Sequence, residues 1–323
     1  MSADISFASF NLYNFQKSGL KTYGRKAVTA SEYEEKKSWT RDMLLKANAD
    51  VVAFQELWHK DCLDDVLNTP ELSDYKAVYI APEWYNIAVA MIIRSPWELA
   101  ETAEVIKNFP FSELIKLDDH DGEDDEVSVS INRFSRSILK VKLKHSESGS
   151  IPEITVFACH LRSKLPSSAK SFNKNYQNAV GSAISTIRRT AEATALRMIL
   201  IDHMQGAGTP TVVIGDLNDD TLSSTLSLIT DQPTMSKSSR GGDKHLYNTL
   251  QFQQLKSFND VYYTHEYNNH KGVLDHILVS EEFFEYSGDS IWTHKQTQVW
   301  NDHIQDDELS SSDHGIVMSL FEG

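Results

Sequence analysis

The chain has 323 residues, 40% of them apolar and 24% charged, a composition that argues against disorder or a fibrous repeat and predicts a soluble, folded protein. Its formal net charge of −15 disfavours a protein that grips duplex DNA through a general basic surface, because that affinity comes from counterion release by Lys and Arg. A phosphoester substrate stays open, since a divalent cation can neutralise the local acidic groups of a site.

The start of the chain has no basic segment followed by an apolar one, and no run reaches the roughly 20 apolar residues of a membrane helix. We therefore expect a cytoplasmic protein without a transmembrane segment. A secreted origin stays open if a signal was removed. The two cysteines, Cys62 and Cys159, predict no disulfide framework and fit a reducing compartment.

Short β-branched or aromatic segments closed by polar residues recur from one end of the chain to the other. The predicted strands are 4–11, 50–56, 77–82, 87–94, 137–144, 153–160, 209–216, 257–263, 274–280 and the terminal run from Ile316. About ten strands are too many for a small parallel sheet, and this number predicts two sheets packed face to face. We find no internal repeat or linker, so we predict a single domain over 1–323.

Two helices are predicted, and we expect them on the outside of the sheets. In the first, Ser31 is placed as the N-cap with Glu34 at the capping-box position. An apolar stripe follows, made of Trp39, Met43 and Leu44. The second covers 183–204 and is closed by two glycines, Gly206 and Gly208.

The acidic run 116–128 invites comparison with a calcium-binding loop. With Gly122 at the sixth position of an EF-hand loop, Leu117 and Ser128 occupy the first and twelfth positions, where oxygen ligands are required. We therefore predict a solvated loop there, and a surface loop at 236–244.

Polar residues stand at the ends of the predicted strands. They are Asn11, Glu56, His160, Asp216, Asn218, Asp275, Asp313 and His314. A lone Asn or Asp after a strand is more often a turn former, and a lone strand-end histidine such as His160 is as often only structural. Their joint occurrence favours one site, because the start of one strand and the end of an antiparallel neighbour share an edge.

The chemistry of these side chains suits hydrolysis of a phosphoester. Carboxylates such as Glu56 and Asp313 are the oxygen ligands that Mg²⁺ takes. Asp216 can accept a proton from water as a general base. His314 can donate to a phosphoryl oxygen if a carboxylate orients its ring, and Asp275 is the candidate for that role.

The sequence resembles the endonuclease/exonuclease/phosphatase superfamily, which includes deoxyribonuclease I, abasic-site endonucleases, sphingomyelinases and inositol phosphatases. The resemblance is carried, in family order, by "SFNLYN", "DVVAFQE", "FSRSILKV", "VFACHLRSK", "VVIGDLND", "LDHILVS" and "SSDHG". It implies a four-layer α/β/β/α sandwich of two mixed β-sheets flanked by helices. It also implies hydrolysis of a phosphoester by activated water with Mg²⁺ or Mn²⁺.

The resemblance also implies individual roles. The implied metal ligands are Glu56, Asp313 and Asn11. The implied catalytic residues are Asp216, Asn218, Asp275, His160 and His314. Asn218 would contact phosphate as well, and Arg136 in "FSRS" matches a phosphate-contacting position.

One departure from the family concerns His160, which matches the second histidine of the deoxyribonuclease and sphingomyelinase branches. There a carboxylate from an earlier strand partners this histidine. Here the corresponding stretch offers Glu83 or Asn86.

A second departure is the insertion 161–182, which is rich in Ser, Asn and Lys and is a candidate substrate-facing loop. Arg162 in this insertion is a candidate phosphate-binding residue. Other basic residues concentrate around it: Lys164, Lys170, Lys174, Arg188 and Arg189. A solvated loop explains them equally well. His303 is a weak further candidate.

We expect a metal-dependent phosphoesterase, with a nuclease favoured over a phosphatase or phosphodiesterase acting on a small molecule or lipid headgroup. A non-catalytic binding protein of the same fold is the alternative from another class. The expected partner is a phosphoester substrate, including nucleic acid, and a monomer is favoured.

Overall fold

The computed structural model describes residues 3–23, 25–79, 87–116, 127–257, 262–306 and 310–323. The helices within these ranges are α1 (Ala30–Ala47), α2 (Lys60–Leu67), α3 (Gln177–Met204), α4 (Ser224–Thr230) and α5 (Thr249–Lys256). The strands of the first half are β1 (Ile5–Phe15), β2 (Val51–Leu57), β3 (Tyr75–Tyr79), β4 (Ala88–Arg94), β5 (Trp97–Leu99), β6 (Glu104–Asn108), β7 (Leu114–Lys116), β8 (Val127–Val129) and β9 (Arg133–His145). Those of the second half are β10 (Ile154–His160), β11 (Thr211–Asp216), β12 (Tyr247–Asn248), β13 (His265–Tyr267), β14 (His270–Gly272), β15 (Asp275–Val279), β16 (Thr293–Trp300) and β17 (Ile316–Glu322).

Two mixed sheets form the centre of the fold. One has six strands in the order β16-β17-β1-β2-β4-β3, and the other has seven, in the order β12-β15-β11-β10-β9-β5 with β6 paired to β9. The pairs β1–β2 and β10–β11 are parallel, and their neighbours β17 and β15 run antiparallel to them. The ends of β1, β2, β10 and β11 therefore share edges with the starts of β17 and β15, which gathers the predicted polar residues.

Successive side chains of the central strands point to opposite faces of the sheet, and they are apolar on both faces because both are covered. In β1, Phe7 faces the core between the sheets, whereas Phe10 packs in the layer between this sheet and α1. In β10, Val156 faces the inter-sheet core and Phe157 packs toward α3. Three buried clusters thus separate four layers, and the predicted α/β/β/α sandwich of two mixed sheets is confirmed.

The predicted N-cap of α1 is wrong by two residues. Thr29 caps the helix, and Glu32 completes the capping box by accepting from the Thr29 backbone at 2.7 Å. The same spacing of hydroxyl and carboxylate occurs twice, in "TASE" and "SEYE", and the earlier pair forms the box. Ser31 instead donates to Glu35 within the first turn of the helix.

The second predicted helix is confirmed, although α3 begins at Gln177 rather than at residue 183. The end of the predicted insertion 161–182 is therefore helical. Among the described helices, α3 included, none combines the length and apolar character that crossing a bilayer requires.

Apart from the segment 257–263, each predicted strand coincides with an observed one: β1, β2, β3, β4, β9, β10, β11, β15 or β17. Residues 258–261 of the predicted strand 257–263 lie outside the described ranges. The same holds for residues 80–82 of the predicted strand 77–82 and for residues 117–126 of the acidic run. Residues 236–244 contain neither helix nor strand, which agrees with the predicted loop. The single domain stays a prediction.

Candidate active site

The end of β11 places Asp216 beside His160 at the end of β10, because the two residues are partners in the parallel register. Gly215 makes this close approach possible. Its φ is +148°, and a Cβ at this position would lie 1.9 Å from the carbonyl oxygen of Cys159. Glycine is therefore required in the "GDLN" turn, since any side chain would force the two strand ends apart.

Asp216 is buried at the centre of a group of polar side chains. Its Oδ2 accepts a hydrogen bond from Nδ2 of Asn11 at 3.2 Å and lies 3.4 Å from Nε2 of His160. Its Oδ1 accepts from the backbone N–H of Asn218 at 2.9 Å. Asn218 has a φ of +55°, a left-handed turn that asparagine tolerates better than most residues.

Burial raises the pKa of the Asp216 carboxyl to about 7. The positive charge of His314 opposes this rise, whereas Asp275 and Glu56 add to it by repulsion. A carboxyl poised near neutrality accepts and releases a proton readily, which is the property of an effective general base.

His314 lies on the other side of Asp216 and is held by Asp275. Nδ1 of His314 donates to Oδ2 of Asp275 at 2.8 Å, which leaves Nε2 pointing to the site, 4.0 Å from Oδ2 of Asp216. Burial disfavours the charged ring, but the attraction of Asp275 and Asp216 outweighs burial and raises the pKa of His314 well above its ordinary value. The ring is therefore a proton donor at neutral pH.

The turn before β17 is anchored from several directions. The Ser312 hydroxyl donates to the carbonyl oxygen of Asn11 at 2.7 Å and accepts from the backbone N–H of His314 at 3.0 Å. Nε2 of His303 lies 2.8 Å from the carbonyl oxygen of His314. His303, the weak candidate of the sequence, is thus buried behind the site and supports its backbone.

Glu56 has the features of a metal ligand. Its backbone is left-handed, with φ +59°, and its Oε2 is buried without a hydrogen-bond partner in the part of the chain that the structure describes. Burial, reinforced by repulsion from Asp313, raises the pKa of the Glu56 carboxyl, while His314 and Arg136 act in the opposite direction. A buried carboxylate oxygen without a partner, close to a second carboxylate, fits a divalent cation.

The three predicted metal ligands come from two different elements and one turn. Asn11 is fully buried on β1, where its Oδ1 also accepts from the backbone N–H of Tyr13 at 3.0 Å. Two groups of potential ligand atoms lie within 4.8 Å of one another among the described residues: Asp216, Asp275 and His314, and His265, Asp313 and His314. The predicted ligands Glu56, Asp313 and Asn11 offer oxygen atoms, which suit Mg²⁺ or Mn²⁺.

Arg136 and Asn218 meet at one backbone carbonyl. Nη1 of Arg136 and Nδ2 of Asn218 each donate to the carbonyl oxygen of Leu161 at 3.1 Å. The two predicted phosphate-binding side chains are thus fixed next to each other at the end of β10. The positive charge of Arg136 reaches both Glu56 and His160.

Arg162 projects from the same strand end toward α3. Its Nη2 donates to the Ser167 hydroxyl at 3.1 Å, while its Nε is buried without a partner among the residues described. Its backbone N–H donates to Glu192, a fully buried carboxylate.

Much of the predicted basic concentration is paired with acids. Arg189 and Lys164 each lie 3.1 Å from Asp219, and Arg188 lies 3.5 Å from Glu192. Lys170 and Lys174 are exposed.

His160 is neutral in this environment. Burial, together with the positive charges of Arg136 and His314, lowers the pKa of His160 well below its ordinary value. Its Nδ1 is buried and has no partner within the described ranges. The two partners that the sequence suggested, Glu83 and Asn86, lie outside them.

Lys36 is a site residue that the sequence reasoning missed. It lies on α1, is 4% exposed, and its ammonium group donates to the carbonyl oxygen of Ser311. Burial lowers the pKa of Lys36 to about 7 against the attraction of Asp313 and Glu56. A lysine on the apolar face of an otherwise amphipathic helix is the signal that points to it, since lysine is rarely buried without a partner.

We expect Lys36→Met to lower kcat by about ten- to a hundredfold, because the buried Ser311 carbonyl loses its donor and the turn that carries Asp313 and His314 shifts. The Mg²⁺ concentration for half-maximal activity should not rise, since the change removes a positive charge near two carboxylates. Lys37→Met, which removes an ion pair with Glu34 and a cation–π contact with Tyr33, is the control. Two outcomes would contradict this positioning role. One is an equal loss of kcat in both variants, and the other is a loss in Lys36→Met that a higher Mg²⁺ concentration restores.

His265 is a second residue that the sequence did not indicate. It begins the hairpin β13–β14, pairs with His314 in an isolated bridge, and its ring centroid lies 4.9 Å from that of His314. No motif precedes it in the sequence, so its proximity follows from the tertiary structure alone.

Comparison with known proteins gives a consistent family. Residues 8–314 match the model of the "Endonuclease/Exonuclease/phosphatase family". A comparison with curated protein sequences found no match.

Solved structures share the fold at low sequence identity. A truncated TDP2 of Caenorhabditis elegans is 13% identical, with 99% of this chain and 98% of that chain covered and a TM-score of 0.59. The catalytic domain of human nocturnin with a bound sulfate anion is 14% identical, with coverage of 100% and 95% and a TM-score of 0.58. TDP2 of D. rerio in complex with a single-strand DNA product is 14% identical, with full coverage of both chains and a TM-score of 0.59.

Proposed function

Because the chain belongs to the endonuclease/exonuclease/phosphatase family, we propose that it is a divalent-metal-dependent phosphoesterase that hydrolyses its substrate with activated water, and that the substrate is a nucleic acid strand. One observation carries the proposal. The buried Asp216 carboxylate faces Nε2 of His314 at 4.0 Å, with Asp275 behind the histidine at 2.8 Å. A candidate base and a candidate acid therefore lie side by side.

Glu56, Asp313 and Asn11 would hold the Mg²⁺ or Mn²⁺ ion, as the partnerless Oε2 of Glu56 supports. When bound, such an ion supplies positive charge at the phosphoryl oxygens and lowers the pKa of water.

Asp216 positions the attacking water and takes its proton. The hydrogen bonds from Asn11 and from the Asn218 backbone fix the carboxylate, so that little reorganisation is needed when the proton arrives. The Asn218 amide is neutral and lies beside the phosphate without repelling it. Its Nδ2 is held by the Leu161 carbonyl oxygen.

His314 stabilises the charge that develops on the phosphoryl group. Asp275 keeps Nδ1 engaged, so Nε2 carries the proton that faces the phosphate. Arg136 adds a second positive charge from near the start of β9. The neutral ring of His160 lies 3.4 Å from Asp216 and would hold the phosphate or the leaving oxygen.

Two observations favour nucleic acid over a lipid headgroup or a small phosphoester. Arginines converge at the end of β10, where a phosphate backbone finds charge-assisted donors. One protein of similar structure, TDP2 of D. rerio, was crystallised with a single-strand DNA product. The net charge of −15 argues against tight binding of duplex DNA, which points to an unpaired strand.

The test is release of product from single-stranded DNA, plasmid DNA, RNA, bis-p-nitrophenyl phosphate, phosphoinositides and sphingomyelin, each with Mg²⁺, with Mn²⁺ and with EDTA. We expect turnover of single strands that EDTA abolishes. Hydrolysis of the lipids alone would replace the nuclease assignment by a lipid phosphoesterase. No metal-dependent turnover of any substrate would favour a binding protein.

A further inference from the structure

An aromatic pair stands next to Glu56 and takes no part in the chemistry described above. Trp58 follows Glu56 by two residues, and its backbone N–H donates to the carbonyl oxygen of Phe15 at 2.9 Å. Its indole Nε1 donates to Oδ1 of Asn14, also at 2.9 Å. The indole is therefore fixed to the ends of the two strands, β1 and β2, that carry Asn11 and Glu56.

Tyr23 meets this indole from the segment between β1 and α1. The ring centroids lie 4.9 Å apart at an interplanar angle of 77°, an edge-to-face pair that leaves the Tyr23 ring 63% exposed. An aromatic ring that is held by a neighbour and open to solvent, as Tyr23 is, binds planar groups with little loss of conformational entropy.

Arg162 lies close enough to Tyr23 for the two side chains to interact electrostatically. Burial lowers the pKa of Arg162, and repulsion from Arg136 and Arg188 adds to the effect, whereas Glu192 and, to a smaller extent, the Tyr23 hydroxyl act in the opposite direction. Arg162 also has a buried Nε without a partner among the described residues. The surroundings of Tyr23 therefore combine an exposed aromatic ring with a guanidinium group whose Nε has no partner among the described residues.

An exposed aromatic ring beside a guanidinium group favours some classes of phosphoester over others. A nucleotide carries a planar ring and an anion and matches both features. An inositol phosphate supplies anions but no planar ring. A phosphocholine headgroup supplies a cation that the aromatic pair accepts and that Arg162 repels.

We propose that Tyr23 and Trp58 form a base-stacking subsite for a nucleotide next to the scissile phosphate, so that the enzyme acts on unpaired strands whose bases are free to stack. The inference rests on the proposed function and narrows its substrate. In a duplex, both faces of an internal base are already stacked, and the subsite cannot be filled without unpairing.

The test compares two single-stranded DNA oligonucleotides of equal length, one with all its bases and one built from abasic tetrahydrofuran residues. The wild-type protein should prefer the base-carrying strand in kcat/KM. Tyr23→Ala should reduce that preference by about tenfold, the effect expected from loss of one base–aromatic stack. Tyr267→Ala removes a tyrosine of nearly equal exposure, 62%, that lies outside the insertion 161–182, and it should leave the preference unchanged.

Circular dichroism and thermal unfolding of each variant establish that the fold is intact. A wild-type protein that cleaves both strands equally, or a Tyr23→Ala variant with an undiminished preference, overturns the subsite. If the wild-type protein hydrolyses neither strand, the proposed function is wrong, and fluorescence anisotropy of the same two strands then decides the subsite. Weaker binding of the base-carrying strand by Tyr23→Ala than by Tyr267→Ala supports it, and equal binding overturns it.

Discussion

Asp216→Asn is expected to lower kcat on the protein's own substrate by about a thousandfold or more, since the amide cannot take a proton from water. The substitution keeps the shape of the side chain, and its Oδ1 can still accept from the Asn218 backbone. The loss should therefore appear in kcat more than in KM. Initial rates with saturating Mg²⁺ measure it.

The same variant should be at least as stable as the wild-type protein. The pKa of Asp216 is about 7 in the folded protein against an ordinary value of 3.8. A carboxyl with a raised pKa favours its protonated form on folding, so its contribution to stability is present below about pH 4 and is lost as the pH rises toward 7. An uncharged asparagine escapes that loss, and the thermal midpoint at pH 8 should rise.

Asp220→Asn is the matched control for both measurements. It lies four residues further along, is exposed, and should change neither activity nor stability beyond small effects. Wild-type turnover by Asp216→Asn would remove Asp216 from the mechanism. A thermal midpoint that falls with the activity would mean that misfolding, rather than lost base catalysis, explains the result.

Ending the chain after Gly315 is expected to abolish folding and activity together. The deleted strand β17 lies inside its sheet, between β16 and β1, so two ladders of hydrogen bonds are lost. Four buried apolar side chains are removed: Ile316, Val317, Met318 and Phe321. At about 1.5–3 kcal/mol each, their burial is comparable with the whole stability of a typical domain, about 5–15 kcal/mol.

The readouts are soluble yield, circular dichroism and cooperative thermal unfolding. A chain that ends after Phe321 serves as the control, because it loses only two exposed residues, Glu322 and Gly323. Phe321→Ala gives an intermediate case, since Phe321 packs edge-on against Phe7 and Phe283. A truncated protein that ends at Gly315 and unfolds cooperatively with activity would show that β17 does not anchor the turn carrying Asp313 and His314.

The central strands could be predicted from the sequence because burial on both faces leaves a continuous apolar signal. The strand β16 carried no such signal: it lies at the sheet edge, and "THKQTQVW" is largely polar. The helices α4 and α5 have seven and eight residues, too few to establish a helical period. The cap of α1 was misplaced because two overlapping segments satisfy the same rule.

Some residues of the site could also be predicted from the sequence, and others could not. Asp216, Asp275 and His314 could be brought together from the sequence because each follows or begins a buried strand, and the register of those strands joins them. Lys36 and His265 could not. Their proximity depends on how α1 and the hairpin β13–β14 lie against the turn before β17, which no local pattern encodes.

Glu56 combines a strained, left-handed backbone with a carboxylate that the proposed metal site needs, so function and stability favour different residues at this position. A side chain with a Cβ in this region of φ and ψ costs about 1 kcal/mol or more relative to glycine. A glycine at this position would relieve the strain and also remove the carboxylate that the site needs. Selection for a more robust fold and selection for a working metal site therefore act in opposite directions here, so a screen for thermal stability alone is expected to enrich inactive proteins.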